Sequence, residues 1–309
     1  MTIDGIINIF KPKGMSSFSV VREIRNILKI KKVGHTGTLD PNASGVLLIC
    51  LGQSTKISQF IMDFKKTYQG EMILGIKTDT QDSEGKVIER ININEIIEKQ
   101  RIEEVFKKYT GVIQQAPPMF SAAYHHGKRL YKLARKGIEV KRNAKEIHIY
   151  RLTLLDLFLS QNPTIKFEVL CSKGTYVRTL CDDIGKELGY GAYMSKLKRI
   201  KVGNHSVNDS ITLEALRADK KLVMENVISI DRVLQHFPQI TIKQEFEDLL
   251  LHGGFVYCKH LQDYSEITYG KGEKIVKIKN GSKKVLSIAR ETIDKKNEKV
   301  FKPIRVFNA

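Results

Sequence analysis

Apolar residues in this chain come in short runs, and that limits its fold more than any other feature. Residues 5–10 form one such run, closed by Lys11-Pro12-Lys13-Gly14, which predicts a strand entering a turn. Residues 46–51 are continuously apolar and predict a buried strand. A further strand is expected over 68–76, ending in the polar turn 78–85. Ile165, Phe167, Val169 and Cys171 alternate with polar positions, the period of a half-buried strand. Helices are expected between these strands. One is capped by Ser16 and Ser17 and runs to about residue 30, with Val20, Ile24, Ile27 and Leu28 on one face. Others are expected after Ser54 as cap, from Asn94 to Tyr109, over 129–136 up to Gly137, and over 176–188 up to Gly189. Residues 33–45, rich in glycine, read as irregular loop. Strands and helices mix without a steady alternation, which predicts an α+β fold on a large mixed, mostly antiparallel sheet flanked by helices.

The chain has 309 residues, enough for two domains. Its texture changes near Pro238. Residues 244–252 look helical, and short strands follow, separated by Gly253-Gly254, Gly270, Gly272 and Gly281. We therefore expect a larger domain over 1–238, which includes a basic region at about 112–150, and a small β domain over 239–309. No internal repeat is visible. Cys50, Cys171, Cys181 and Cys258 are scattered, without metal-ligand spacing, which suits a reducing compartment. The N-terminus lacks the pattern of a secretory signal, and no apolar run reaches the ~18 residues that span a bilayer. A cytoplasmic, monomeric protein with neither membrane, metal nor obligate protein partner is expected.

Charge points to a partner. The 52 Lys and Arg outnumber the 34 Asp and Glu, for a net +18, a field that draws polyanions. The excess is uneven. Between His125 and Arg151 stand nine cations and two acids, Glu139 and Glu146. Tyr124, His125, His126 and Tyr131 interleave rings with Lys128, Arg129 and Arg135, a composition suited to an RNA backbone and splayed bases. Charge alone leaves an acidic membrane surface open. Residues 239–309 carry 14 basic against 9 acidic residues and could touch RNA too.

Asp40 is the one carboxylate whose setting suggests chemistry. Pro41 keeps it out of the helical region, and the surrounding glycines let the loop backbone approach a ligand. A carboxylate so presented can serve as nucleophile or base; a turn-forming Asp-Pro has the same local appearance. No phosphate loop, dinucleotide fingerprint or calcium loop accompanies it.

The segment Lys31-Lys32-Val33-Gly34-His35-Thr36-Gly37-Thr38-Leu39-Asp40-Pro41, followed by Ala43-Ser44-Gly45, resembles the catalytic loop of the TruB family, the bacterial tRNA pseudouridine-55 synthases. Four more blocks resemble that family in the same order, at 5–17, 75–85, 117–137 and 173–188, so the likeness covers most of 5–203. It implies a pseudouridine-synthase fold and an isomerase that converts uridine 55 in the tRNA T loop without a cofactor. It further implies Asp40 as nucleophile, Arg178 as its partner and Tyr68 as the ring stacked on the flipped uracil. His35 matches the position that fills the vacated space; a loop histidine with local hydrogen bonds is the plainer alternative. Leu197 matches a pocket residue, Lys11 a lysine near the site, and Tyr176 belongs to the 173–188 block. Lys128, Arg129, Tyr131 and Arg135 fall in the RNA-gripping insertion. One departure is Ser121-Ala122-Ala123-Tyr124, where the family usually reads Ser-Ala-Leu-Lys, so a cation is missing. The region from 249 to 254 and the ending Pro303-Ile304-Arg305-Val306-Phe307 resemble a PUA RNA-binding module. A different class of function, an RNA-folding helper independent of Asp40, is compatible with the basic segment.

Overall fold

The computed structural model describes residues 3–262, 264–269 and 273–307. Gly270 and Gly272, expected as turn positions, lie outside them. Nine strands make the large sheet: β1 (Gly5–Lys11), β2 (Val33–His35), β3 (Ser44–Leu51), β4 (Lys66–Leu74), β5 (Gly111–Gln115), β6 (Lys145–Phe158), β7 (Thr164–Cys171), β8 (Ala192–Val202) and β9 (His205–Ser206). The order across it is β1-β3-β8-β4-β7-β6-β5, with β2 beside β3 and β9 beside β8. Every strand pairing described in this sheet is antiparallel except one. Where β3 meets β8 the strands run parallel, with Lys198 opposite Ser44 and Arg199 opposite Gly45. This is the mixed, mostly antiparallel α+β architecture that the irregular mix of strands and helices predicts.

The three longest described helices pack on the sheet. In α1 (Ser17–Leu28), the Ser16 hydroxyl caps the N-terminus by accepting from the Ser19 amide at 3.0 Å. Its Val20, Ile24 and Ile27 pack on Ile7, Ile9, Leu47 and Ile49. Helices α2 (Lys99–Lys108) and α3 (Val177–Leu188) place Ile102, Phe106, Leu180 and Ile184 against Met72, Phe167 and Val169. Each such fully buried side chain contributes roughly 1.5–3 kcal/mol. The chain also repeats a local plan that the residues do not advertise. Strand β1, Lys13-Gly14 and α1 correspond to β7, Lys173-Gly174 and α3. Among the described residues no helix is long and apolar enough to cross a membrane.

Several boundaries differ from expectation. Ser54 caps no helix: it lies inside the 3-10 turn Gly52–Ile57, and its hydroxyl bonds the carbonyls of Gly5 and Leu51. Asn94 does not start α2, because Glu98 is still extended (ψ 141°) and the helix begins after it. The first residues of the 33–45 loop pair with β3 as β2. Strands β6 and β8 were not foreseen.

A second sheet follows. Its strands are β10 (Gln239–Thr241), β11 (Val256–Tyr257), β12 (Ile275–Lys279), β13 (Val285–Ile293) and β14 (Lys299–Val306), in the order β10-β12-β13-β14-β11, forming a curled β domain. It is not a free appendage. Ile275, Ile288 and Phe307 share one apolar cluster with Ile6, Val46, Leu48 and Phe60.

Candidate active site

The segment 36–43 crosses the C-terminal end of β1 and is fixed from several sides. Ser17, at the start of α1, donates its hydroxyl to the Leu39 carbonyl (3.0 Å) and accepts from the Leu39 amide (2.8 Å). The Pro41 carbonyl accepts from the Gly14 amide at 2.8 Å and from the Lys11 ammonium at 3.1 Å. Lys11 has no exposed surface, and its ammonium also reaches the carbonyls of Pro12 and Met15. Burial drives its pKa down to about 8, although the charge of Asp40 opposes the shift. Lys11 is therefore an internal clamp beside Asp40 and not a solvated turn lysine. Asp40 itself closes a turn, its carbonyl accepting from Ala43 at 3.0 Å, and its carboxylate is left half-exposed.

That carboxylate faces Arg178, with Oδ2 at 3.4 Å from Nη2. Arg178 is buried at the first turn of α3, not on a helix surface. Its other nitrogen donates to Asp82 Oδ2 at 3.2 Å, and Nη2 also reaches the Phe120 carbonyl at 2.9 Å. Asp82 comes from the polar turn after the hairpin strand Ile76–Thr78, where the Thr80 hydroxyl and the Glu84 amide complete its shell. Gln81 ties the same turn to α3 through the Thr179 hydroxyl and the Asp182 carboxylate, at 2.8 Å each. The guanidinium is thus held by one buried carboxylate while it meets the other at the surface.

Tyr68 projects from the middle of β4 into the cluster that contains Leu39 and Val169. Burial pushes its phenol above the usual range, and the charge of Arg199 works against that. His35 ends β2. Burial first, and then Arg199, hold its imidazole below the ordinary value, so the ring is neutral near pH 7. Its Nδ1 accepts from the Gly37 amide at 3.3 Å, the local hydrogen bond of the plainer reading. Leu197 sits opposite Gly70 across β8 and β4 and packs on the same core. Tyr176 caps α3, and its backbone N–H and C=O both bond the Gln115 amide.

Two residues of this constellation escaped the sequence reading. Asp82 looked like part of an acidic turn. Arg199 looked like one more cation in a strongly basic chain, yet it is 2% exposed and donates to the carbonyls of Val46, Thr38 and Gly37.

Lys128, Arg129, Tyr131 and Arg135 stand apart, on a two-strand hairpin (Tyr124–His125 with Lys128–Arg129) and the short helix Leu130–Ala134. They make no polar contact with Asp40. The Arg129 guanidinium lies 4.6 Å over the Tyr124 ring and that of Arg135 5.5 Å over Tyr131. Beside them is a cavity of 480 Å³ lined by Tyr124, Lys128, Arg129, Lys132, Leu133 and Lys136. A larger cavity, 1330 Å³, is lined by Thr67, Gln69, Lys198 and Ile200, which alternate with Tyr68 and Arg199 along β4 and β8. It contains neither Asp40 nor Arg178, so size does not locate the chemistry here.

The chain is similar to known proteins over most of its length. The profile of the TruB family pseudouridylate synthase N-terminal domain matches residues 25–177, and that of the tRNA pseudouridylate synthase B C-terminal domain matches 178–237. The tRNA pseudouridine synthase B of Clostridium acetobutylicum is 48% identical over 252 residues, covering 81% of this chain and 84% of the relative. That of Clostridium kluyveri is 43% identical over 281 residues, covering 89% and 95%. Among solved structures, a chain of an H/ACA ribonucleoprotein bound to a substrate RNA containing 2′-deoxyuridine superposes with a TM-score of 0.72. It is 23% identical, over 99% of this chain and 85% of that one. A chain of the archaeal box H/ACA Nop10–Cbf5 complex gives 0.71 at 22% identity, over 98% and 86%. At those identities the structures speak for the fold, and the sequence relatives speak for the family. By its sequence, this chain is a member of the TruB family of pseudouridylate synthases.

Proposed function

We propose that this enzyme isomerises uridine 55 in the T loop of tRNA to pseudouridine, with Asp40 as nucleophile. The observation that carries the reading is the pairing of Asp40 with Arg178 at 3.4 Å, on a segment pinned at Leu39 and Pro41 that leaves the carboxylate half-exposed. The reaction breaks the N1–C1′ bond and forms a C5–C1′ bond; N1 gains a proton and C5 loses one, so no electrons or external atoms are needed. A stacked uridine must leave its neighbours to reach a carboxylate in this position. Tyr68 offers the extruded uracil a ring face, and a neutral His35 can enter the space it leaves. The basic segment 125–151 carries the phosphate contacts, and the curled β domain over 239–309, similar to a PUA module, adds a second RNA surface. The protein works in the cytoplasm as a monomer, on tRNA alone.

The test uses tRNA transcript labelled with tritium at C5 of uridine. Wild-type enzyme releases one tritium per tRNA, and mapping places the product at position 55. Asp40→Asn releases none while binding tRNA within about threefold of wild type, because only the nucleophile is removed. Normal release by that variant excludes the assignment of Asp40. Release from another position excludes the T-loop target.

A further inference from the structure

The Asp40 segment rests on a second arginine with no family role attached to it above. Arg199 lies on β8 directly opposite Tyr68 on β4, and its parallel partner on β3 is Gly45, immediately after the segment. Its guanidinium is 6.0 Å from the centre of the Tyr68 ring. From that place Nε donates to the Val46 carbonyl at 2.7 Å, Nη1 to Thr38 at 3.3 Å and Nη2 to Gly37 at 3.3 Å. Among the described residues no carboxylate pairs with it. A buried guanidinium without an anion costs desolvation that three carbonyls offset only in part, so stability alone does not explain its presence. What it does supply is geometry. Only a planar fork can bond the carbonyls of Gly37, Thr38 and Val46 at once, and those residues bracket Asp40. Gly45 completes the arrangement: it sits at φ +109°, and a Cβ there would lie 2.1 Å from the Arg199 carbonyl oxygen. The strand that carries Arg199 is thus pressed against the loop it holds.

We propose that Arg199 is a positioning residue for the isomerisation, locking residues 37–40 to the strand pair β4–β8 so that the Asp40 carboxylate and the Tyr68 ring keep one fixed separation. The proposal rests on the reaction assigned to Asp40. Ser17 and Lys11 hold the far side of the segment at Leu39 and Pro41, and Arg199 holds the near side at Gly37 and Thr38. With one side released, the loop still stands but the carboxylate drifts. A misplacement of about 1 Å at a reacting group costs on the order of 100-fold in rate.

The experiment compares wild type, Arg199→Lys and Arg199→Met in single-turnover tritium release. The Kd for tRNA and the melting temperature are measured alongside. The expected result is a rate constant lowered by about 100-fold in Arg199→Met, with tRNA affinity held within about threefold. Arg199→Lys, which keeps the charge but reaches fewer carbonyls, should fall between the two. A rate within about threefold of wild type in Arg199→Met overturns the proposal. So does a parallel loss of rate, tRNA binding and melting temperature in both variants, because that marks a general scaffold residue. Absence of tritium release from wild type would instead remove the underlying reaction, which separates the two failures.

Discussion

At the scale of single residues, the site turns on one cation shared by two carboxylates. Arg178 meets half-exposed Asp40 and buried Asp82, and these two are not equivalent. Loss of the guanidinium leaves Asp40 free to take water, but strands Asp82 as an unpaired buried charge. Arg178→Met should therefore lower folding stability by about 3 kcal/mol in denaturant titration, whereas Asp40→Asn leaves it nearly unchanged. Restoring part of that loss with Asp82→Asn in the Arg178→Met background would show where the penalty sits. Asp40 and its loop were legible in the sequence because a nucleophile must be presented, and presentation needs glycine and proline nearby. Arg199 and Asp82 were not, because their function depends on burial. Nothing local separates a buried arginine from a solvated one in a chain with 52 basic residues.

At the scale of elements, α3 is the part whose placement decides whether the site is assembled. It begins beside Arg178 and lies on β8 with almost no gap. A Cβ added at Gly185 would stand 2.4 Å from the Ala192 amide and 2.5 Å from the Ala192 Cβ. Gly185→Ala thus pushes the helix off the strand, and should cost about 2 kcal/mol in stability and lower turnover with it. A melting curve and tritium release measured together check both; unchanged turnover would mean that Arg178 tolerates the shift. Elements with regular periods were readable beforehand. Alternation at Ile165, Phe167, Val169 and Cys171 gave β7, and the serines before Phe18 gave α1. Strand β8 stayed hidden because Lys196, Lys198 and Lys201 break its apolar pattern and two register shifts against β4 disturb its period. Strand β6 is similarly irregular against β7. The missed start of α2 has another cause: Asn94 is a good cap by chemistry, but the buried Ile97 holds the chain extended past it.

At the scale of the whole molecule, the curled β domain is joined to the large sheet by charge as well as by apolar contact. Asp231, in the short helix Ile230–Val233, accepts from Lys277 at 2.6 Å and from Lys279 at 2.7 Å, both buried on β12. Burial alone would raise the Asp231 pKa; the hydrogen bonds from the two lysines outweigh it and hold the carboxyl below its ordinary 3.8. A carboxyl depressed in the folded state contributes stability above its unfolded pKa and loses it as pH falls through the folded one. The joint should therefore weaken below about pH 4, and not between pH 5 and 8. Asp231→Asn should remove about 1 kcal/mol at pH 7, since solvent screens the partly exposed carboxylate, while flattening the acid limb of the stability curve. An unchanged acid limb in that variant would assign the transition to other carboxylates. The change in texture near Pro238 was visible in the sequence, but this joint was not, since its partners lie 46 and 48 residues apart, one on a short helix and two on a strand.

The apolar cluster that contains both Ile6 and Phe307 has a consequence for synthesis. Strands β1 and β3 are made well before β12 to β14, whose Ile275, Ile288 and Phe307 complete the cover over Ile6 and Leu48. Until β12 to β14 arrive, one face of the first half of the sheet waits uncovered, a standing invitation to chaperones or to other nascent chains. Closure over so long a span is entropically slow. The cluster around Ile6 is therefore complete only once β12 to β14 have joined it.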